Sequence, residues 1–354
     1  NTFSKDAKQF LPEPARTYLS QFRTYIEKSE AELEVDRQER VTVRPCWDPL
    51  LLRSRSDLLS LLVSLESRNL ISFRRAIKAK VGLFCVHKKD GNQRLIVDAR
   101  QANAAHKTPP TTRLGGVGSM VDLDFSEGRL RHNGFGGFPE ATHDLAGNEG
   151  DVGDCYYNFQ FEELGSWFGL DVPLQLSEIV STGFTSRRFY NDDTQEYEPM
   201  QPGTDYFPVF SGMSMGWSWG LYFANEAVCH LVASSPGATL GDALREKSVV
   251  PTISPGRPIV STYVDNVSIL GASEDVDSRM KGVANLAAEK EIPFDLSHQQ
   301  AVFVLQSLGL VYHFKERRLR HVPRRVWRLY LATKALLRRQ KVSPAHLRVW
   351  LGHD

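Results

Sequence analysis

The chain has 354 residues, 41% hydrophobic and 24% charged, with a formal net charge of +1. A length beyond the roughly 250 to 300 residues at which single cores stop growing implies more than one subdomain. No stretch approaches the roughly 18 uninterrupted apolar residues of a membrane helix, and the polar start NTFSKDAKQF lacks a signal-peptide core, so a soluble intracellular chain without a membrane partner is expected. Cys46, Cys85, Cys155 and Cys229 lie far apart with no CxxC pair, which argues against a zinc ribbon or a dense disulfide framework. They read as reduced, mostly buried thiols. The absence of an initiator Met and the abrupt WLGHD end give the expectation of a piece of a longer polypeptide.

In chain order, residues 1–40 are polar and helix-prone, and read as a solvated helix or arm. Leu58, Leu61, Leu62, Leu65 and Leu70 recur at helical spacing, which predicts a packed helix with Ser56 or Asp57 as its N-cap. KVGLFCVHKKDGNQRLIVDAR predicts a hairpin, with strands over 81–86 and 94–98, a turn at Asp90-Gly91-Asn92, and Lys88 and Lys89 at the tip. Residues 127–150 are rich in Gly, Asn and charge without any period, so they read as a long loop. The irregular stretch over 181–206 has room for a short hairpin, and SWGLYFANEAVCHLVASS reads as a helix entered from the turn SGMSMGW. After a Pro/Gly/Ser-rich loop, RPIVSTYVDNVSILG predicts two short strands meeting on Asp265-Asn266, a favourable turn pair. EDVDSRMKGVANLAAEKE then predicts a helix, and AVFVLQSLGLVYHF one or two strands.

Charge is unevenly placed. Residues 313–348 hold twelve Lys or Arg against one acid, Glu316, so the rest of the chain is net negative. Such a block is the footprint of a surface that tracks phosphates. Val326, Leu329, Tyr330, Leu336 and Leu337 recur at helical spacing beneath the basic residues, which predicts a docked helix with a cationic outer face.

A lone Asp in a hairpin turn is ordinarily structural. Asp265 gains interest from DVGDCYYNFQF, which offers Asp151 and Asp154 at the start of another β-prone segment. Two acidic strand ends side by side would form a hard-oxygen site suited to Mg²⁺, which takes carboxylates, water and substrate phosphate. Two such ions can promote in-line nucleotidyl transfer. Spacing alone does not bring Asp151 and Asp265 together.

In order along the chain, five stretches resemble reverse transcriptases. DVGDCYY resembles their first acidic motif, TYVDN their Tyr-x-Asp-Asp motif with the last Asp replaced, and GMSMGWSWGLYFANEA the motif opening the helix under the nascent pair. VHKKDGNQRLIVDARQAN is similar to the fingers hairpin and LQSLGLVY to the primer grip. The flavour is that of a retroelement pol polyprotein. The resemblance implies an α+β right-hand fold with fingers, an antiparallel palm sheet backed by helices, and the start of a helical thumb or connection. The implied division is an N-terminal helical arm (1–44), fingers (45–125), a Gly-rich loop (126–150), palm (151–312) and the basic thumb or connection start (313–354).

It also implies roles. Asp151 and Asp265, with the Val152 carbonyl, would bind Mg²⁺ or Mn²⁺, and Asn266 would lie beside them. Lys88 and Arg94 would hold the triphosphate of an incoming dNTP, with Asp154 and Cys155 contacting it through their amides, and Tyr156 would act as steric gate. Met215 and Gly216 would lie against the nucleotide; Arg100, Tyr263, Leu308 and Gly309 would meet an RNA or DNA template and its primer. Three departures stand out: Asn266 removes a carboxylate, AGNEG lacks the apolar run usual before the first Asp, and Ser214-Met215 replaces the usual Pro-containing pair. The competing expectations are a non-catalytic nucleic-acid-binding remnant and an RNA-dependent RNA polymerase, the latter disfavoured by the bulk of Tyr156.

Overall fold

The computed structural model describes residues 5–39, 43–88, 91–135, 144–239 and 241–351. The chain divides into two compact units, each drawn from two stretches: Asn1–Thr112 with Gly153–Val232, and Arg113–Val152 with Ala233–Asp354. No helix among the described residues is long and apolar enough to cross a membrane.

The first unit is built on a mixed sheet in the order Ile71–Arg74, Asp205–Phe210, Gly169–Leu170, Lys80–His87, Gln93–Asp98, with Leu174–Gln175 pairing the 205–210 strand off this path. The expected hairpin is present, in register from Gly82↔Asp98 to His87↔Gln93; Lys88 stands at its tip, and Lys89 lies outside the described residues. The helix Arg55–Glu66 buries Leu58, Leu62 and Leu65, but its N-cap is Ser54, whose hydroxyl accepts from the Asp57 amide, rather than Ser56 or Asp57. A cap must stand in extended backbone just before the first helical turn, and Ser54 does. The N-terminal arm is not solvated throughout. Lys5–Asp6 pairs with Phe159–Gln160, and Phe10, Leu11, Leu19, Phe22 and Ile26 are buried, so these scattered apolar side chains suffice to dock it. The short hairpin appears as Arg188–Asn191 with Glu196–Pro199, and the apolar helix as Gly220–Ser234.

The second unit centres on a five-stranded sheet in the order Ala243–Leu244, Ile259–Tyr263, Asn266–Ala272, Leu145–Val152, Phe294–Leu296. Its fourth strand, Leu145–Val152, corrects the sequence reading of 127–150 as loop. Residues Glu127–His132 are helical, and LAGNEGDV is a strand paired along both edges. It lacks β-propensity because its neighbours supply the bulk: a methyl at Gly147 would meet Phe314 Cζ at 2.8 Å and Leu270 Cδ2 at 2.9 Å, and one at Gly150 would overlap the Phe294 ring. Strand propensity reflects fit to a packed surface, and here the fit requires small residues. The expected helix Ser273–Glu289 packs on this strand and on Asn266–Ala272.

A second, three-stranded sheet, Val304–Ser307, Leu310–His313 and Arg318–His321, contributes Leu305, Leu310, Tyr312 and Phe314 to a core shared with Leu145, Ile259 and Leu270. The basic segment forms helices Pro323–Leu337 and Pro344–Leu351. The first has no buried residue, with Trp327 at 63% and Leu337 at 81% exposure, so the expected docking of its apolar stripe is not found within the described residues. None of the four cysteines is in a disulfide. Cys155 and Cys229 are buried, whereas Cys46 and Cys85 are exposed, which corrects the reading of mostly buried thiols.

Candidate active site

Asp151 is the penultimate residue of strand Leu145–Val152 in the second unit. Across one edge it pairs with Asn266 and across the other with Asp295. Directly opposed residues of antiparallel strands have Cβ atoms about 4.5 to 5.5 Å apart on the same face, so Asn266, Asp151 and Asp295 stand in one row. Asp265 joins them from the hairpin turn. Tyr263 pairs with Asn266, so the turn residues are Val264 and Asp265, not Asp265-Asn266 as the sequence implied. The turn is fastened to the strand end by a hydrogen bond from the Val152 amide to the Asp265 carbonyl, 2.9 Å. A long-range contact invisible in spacing thus places the two aspartates beside each other.

Val264 has φ 59° and is buried. A β-branched residue in left-handed backbone costs about 1 to 3 kcal/mol and persists only where surroundings impose it, a pattern concentrated at functional turns. The Asn266 side-chain amide donates to Asp265 Oδ1, 3.1 Å. Where a carboxylate would add charge, Asn266 orients the neighbouring Asp and leaves its own oxygen as a neutral acceptor.

One two-residue step along the strand from Asp151, and therefore on the same face, lies Glu149, paired with Ser268. Burial, against a hydrogen bond from Ser307 and reinforced by the Asp151 charge, raises its carboxyl to about 7. Leu308 and Gly309 form the turn between Val304–Ser307 and Leu310–His313, both in left-handed backbone at φ 49° and 82°. The Gly309 carbonyl accepts from the Val322 amide at 2.9 Å, and a side chain at Gly309 would strike the Arg325 guanidinium. Tyr263 is exposed beside the hairpin turn.

The remaining sequence-derived residues belong to the first unit. Lys88 and Arg94 are exposed at the hairpin tip and on its second strand. Asp154 is exposed in left-handed backbone at φ 50°, immediately before the turn of helix Cys155–Asn158. Cys155 is buried, and Tyr156 is half-buried, with its ring 3.4 Å from where a side chain at Gly220 would begin. Met215 and Gly216 are half-buried. A side chain at Gly216 would collide with the Val97 carbonyl, so the turn presses backbone to backbone on the 93–98 strand. Arg100 is committed locally: its Nε and Nη2 donate to Asp98 at 2.8 and 2.6 Å, and this holds the Asp98 carboxyl below the usual carboxylate range. Trp217 and Trp219 are buried.

Sequence reasoning missed two residues. Asp295 could not be found from its own surroundings, because only strand register sets it against Asp151. Asn103 brackets the Met215-Gly216 turn, donating to the Gly216 carbonyl and accepting from the Ser218 amide, both at 2.8 Å; its signal was the Asn closing RLIVDARQAN.

Among the described residues no group of three or more His, Cys, Asp or Glu is arranged to hold a metal ion. Asp151 and Asp265 offer two carboxylates and Asn266 an amide oxygen. This hard-oxygen set fits Mg²⁺ or Mn²⁺ only with water and substrate phosphate completing the shell. Val152 is buried, so its carbonyl is the least accessible of the expected donors.

No protein-family model matches the chain, and no curated protein matches it. Among solved structures, the class of fold it resembles is that of the reverse transcriptases. One such structure is the foamy viral protease-reverse transcriptase in complex with double-stranded DNA, at TM-score 0.50 and 10% identity, over 96% of this chain and 52% of that one. The chain therefore spans about half the length of that protein, and the likeness is one of fold.

Proposed function

We propose that the chain is an RNA-directed DNA polymerase domain of a retroelement, with the second unit carrying the palm sheet and the basic thumb start. The observation that carries this reading is the placement of Asp265 on the end of the Asp151 strand, through the register Asn266↔Asp151 and the Val152–Asp265 backbone bond. A fold similar to a reverse transcriptase supports it. Asp151 and Asp265 would hold Mg²⁺ or Mn²⁺, which when bound favours in-line attack of a primer 3′ hydroxyl on a dNTP.

Asn266 keeps Asp265 in one rotamer by its side-chain hydrogen bond. By motif resemblance, Lys88 and Arg94 neutralise the triphosphate, and suit it as a point charge and a bidentate fork. Tyr156 excludes a ribose 2′ hydroxyl, Met215 and Gly216 line the base, and Tyr263, Leu308 and Gly309 meet the primer. Arg100, which donates to Asp98, meets the template by the same resemblance.

Primer extension with dNTPs on an RNA template, with each metal, tests the reading. Wild type extends the primer, Asp151→Asn loses about 10⁴-fold or more in rate, and Asn266→Asp increases Mg²⁺-supported extension. Absence of extension by wild type with either metal would sink the enzyme reading. The second reading, a nucleic-acid-binding remnant, is favoured by the absence of a three-carboxylate cluster among the described residues. It requires primer-template binding that Asp151→Asn leaves intact, with no extension by any variant.

A further inference from the structure

Three buried polar side chains from three strands of the second unit meet in an otherwise apolar layer. Glu149, Ser268 and Ser307 are only 9%, 2% and 2% exposed. Ser268 is paired with Glu149 across the sheet. The Ser268 and Ser307 hydroxyls are hydrogen-bonded at 2.9 Å, so a side chain of the three-stranded sheet is joined to the strand that pairs with Glu149. Around them lie Leu270, Leu305, Leu310 and Tyr312. Apolar replacements would stabilise such a layer about as well, because a buried polar group gains little net energy over a packed apolar one. What the buried hydroxyl pair beside Glu149 adds is direction, since only one offset between the layers keeps the Ser268–Ser307 bond.

The position of the trio gives that offset a use. Glu149 and Ser268 lie one step below the Asp151↔Asn266 pair on the same face. Ser307 immediately precedes Leu308 and Gly309, whose left-handed backbone makes the turn dependent on its flanks. Its far flank is tied by the Val322 amide to the Gly309 carbonyl; its near flank is tied by Ser307.

We propose that Glu149, Ser268 and Ser307 are positioning residues that fix the Leu308-Gly309 turn in height and register over the strand carrying Asp151, and so set where a primer end rests. This deepens the polymerase reading and rests on it for the word primer. The geometric part, a turn held by the trio, stands alone.

The test combines steady-state extension with hydrogen exchange on wild type, Ser307→Ala, Ser268→Ala, Glu149→Gln and Ser307→Thr. In Ser307→Ala the KM for primer-template rises about fivefold, the size of one lost hydrogen bond, while the dNTP KM is unchanged. Exchange accelerates in 303–312 and not in 259–272, and Ser307→Thr restores both. Ser268→Ala gives the same pattern should Ser307→Ala fail to fold, and Glu149→Gln, which keeps the volume beside Ser268, gives a smaller effect. Equal changes in kcat and both KM values would show a merely structural role and overturn the proposal, as would unchanged exchange in 303–312. Wild type inactive with both metals refutes the polymerase reading alone. The exchange comparison then decides whether the trio holds the turn.

Discussion

His106 shows how far one buried side chain can be removed from its solution behaviour. It accepts a hydrogen bond from Trp217 Nε1 at Nδ1, 2.8 Å, which assigns the proton to Nε2. Trp167 stands edge-on at 4.9 Å between ring centroids. Burial first, then the charges of Lys78 and Lys28, lower its pKa to about 3. A base with a depressed native pKa stays neutral in the fold while the unfolded chain takes up a proton below about 6.5. Stability from this residue is therefore complete above about 6.5 and lost as pH falls toward 3. Between pH 7 and pH 5 the loss is about 2 kcal/mol. Urea unfolding of wild type and His106→Gln at the two pH values checks this: the variant keeps an acceptor for Trp217 and should be less pH-dependent by that amount. Parallel pH profiles would refute it.

Among the elements, the strand Leu145–Val152 is the least strand-like in sequence, yet it is paired along both edges in the second unit. Its glycines accept neighbouring rings, so filling them should strain rather than strengthen the sheet. Gly150→Ala places a methyl against Phe294, whose Cε1 would be 2.7 Å away. Overpacking of this kind costs about 1 to 3 kcal/mol, and the double variant with Phe294→Leu should recover about 1 kcal/mol of it as coupling in a urea-denaturation cycle. Additivity of the two changes would mean that the ring does not limit the site. The same strand carries Asp151, so its close packing holds the carboxylate that the proposed chemistry depends on.

Over the whole molecule, near-neutral net charge conceals a polar division, with the basic excess concentrated in the last 42 residues. Helix Pro323–Leu337 displays Arg324 and Arg328 together with the exposed Trp327 and Tyr330. If these arginines contact phosphates, Arg324→Gln and Arg328→Gln each reduce the slope of log binding constant against log salt by about 1. Fluorescence anisotropy with a primer-template duplex over a salt series measures this; slopes equal to wild type would remove the two residues from the interface.

Much of the architecture was legible from local pattern: the 80–98 hairpin, the helices over 55–66, 220–234 and 273–289, and the strands flanking Asp265 follow from periodicity and turn chemistry that act over a few residues. The ordered motifs singled out Asp151 and Asp265. Yet it is the pairing of strands more than a hundred residues apart that sets Asn266 opposite Asp151 and adds Asp295 on the other edge, while the register of the adjacent hairpin strands moves the turn onto Val264-Asp265. The 145–152 strand was hidden for the same reason, because its glycines make sense only against Phe294, Phe314 and Leu270. Residue types and short-range spacing determined which chemistry this protein can carry. Tertiary structure alone decided which carboxylates share an edge, because register and close packing are set by partners distant in the chain.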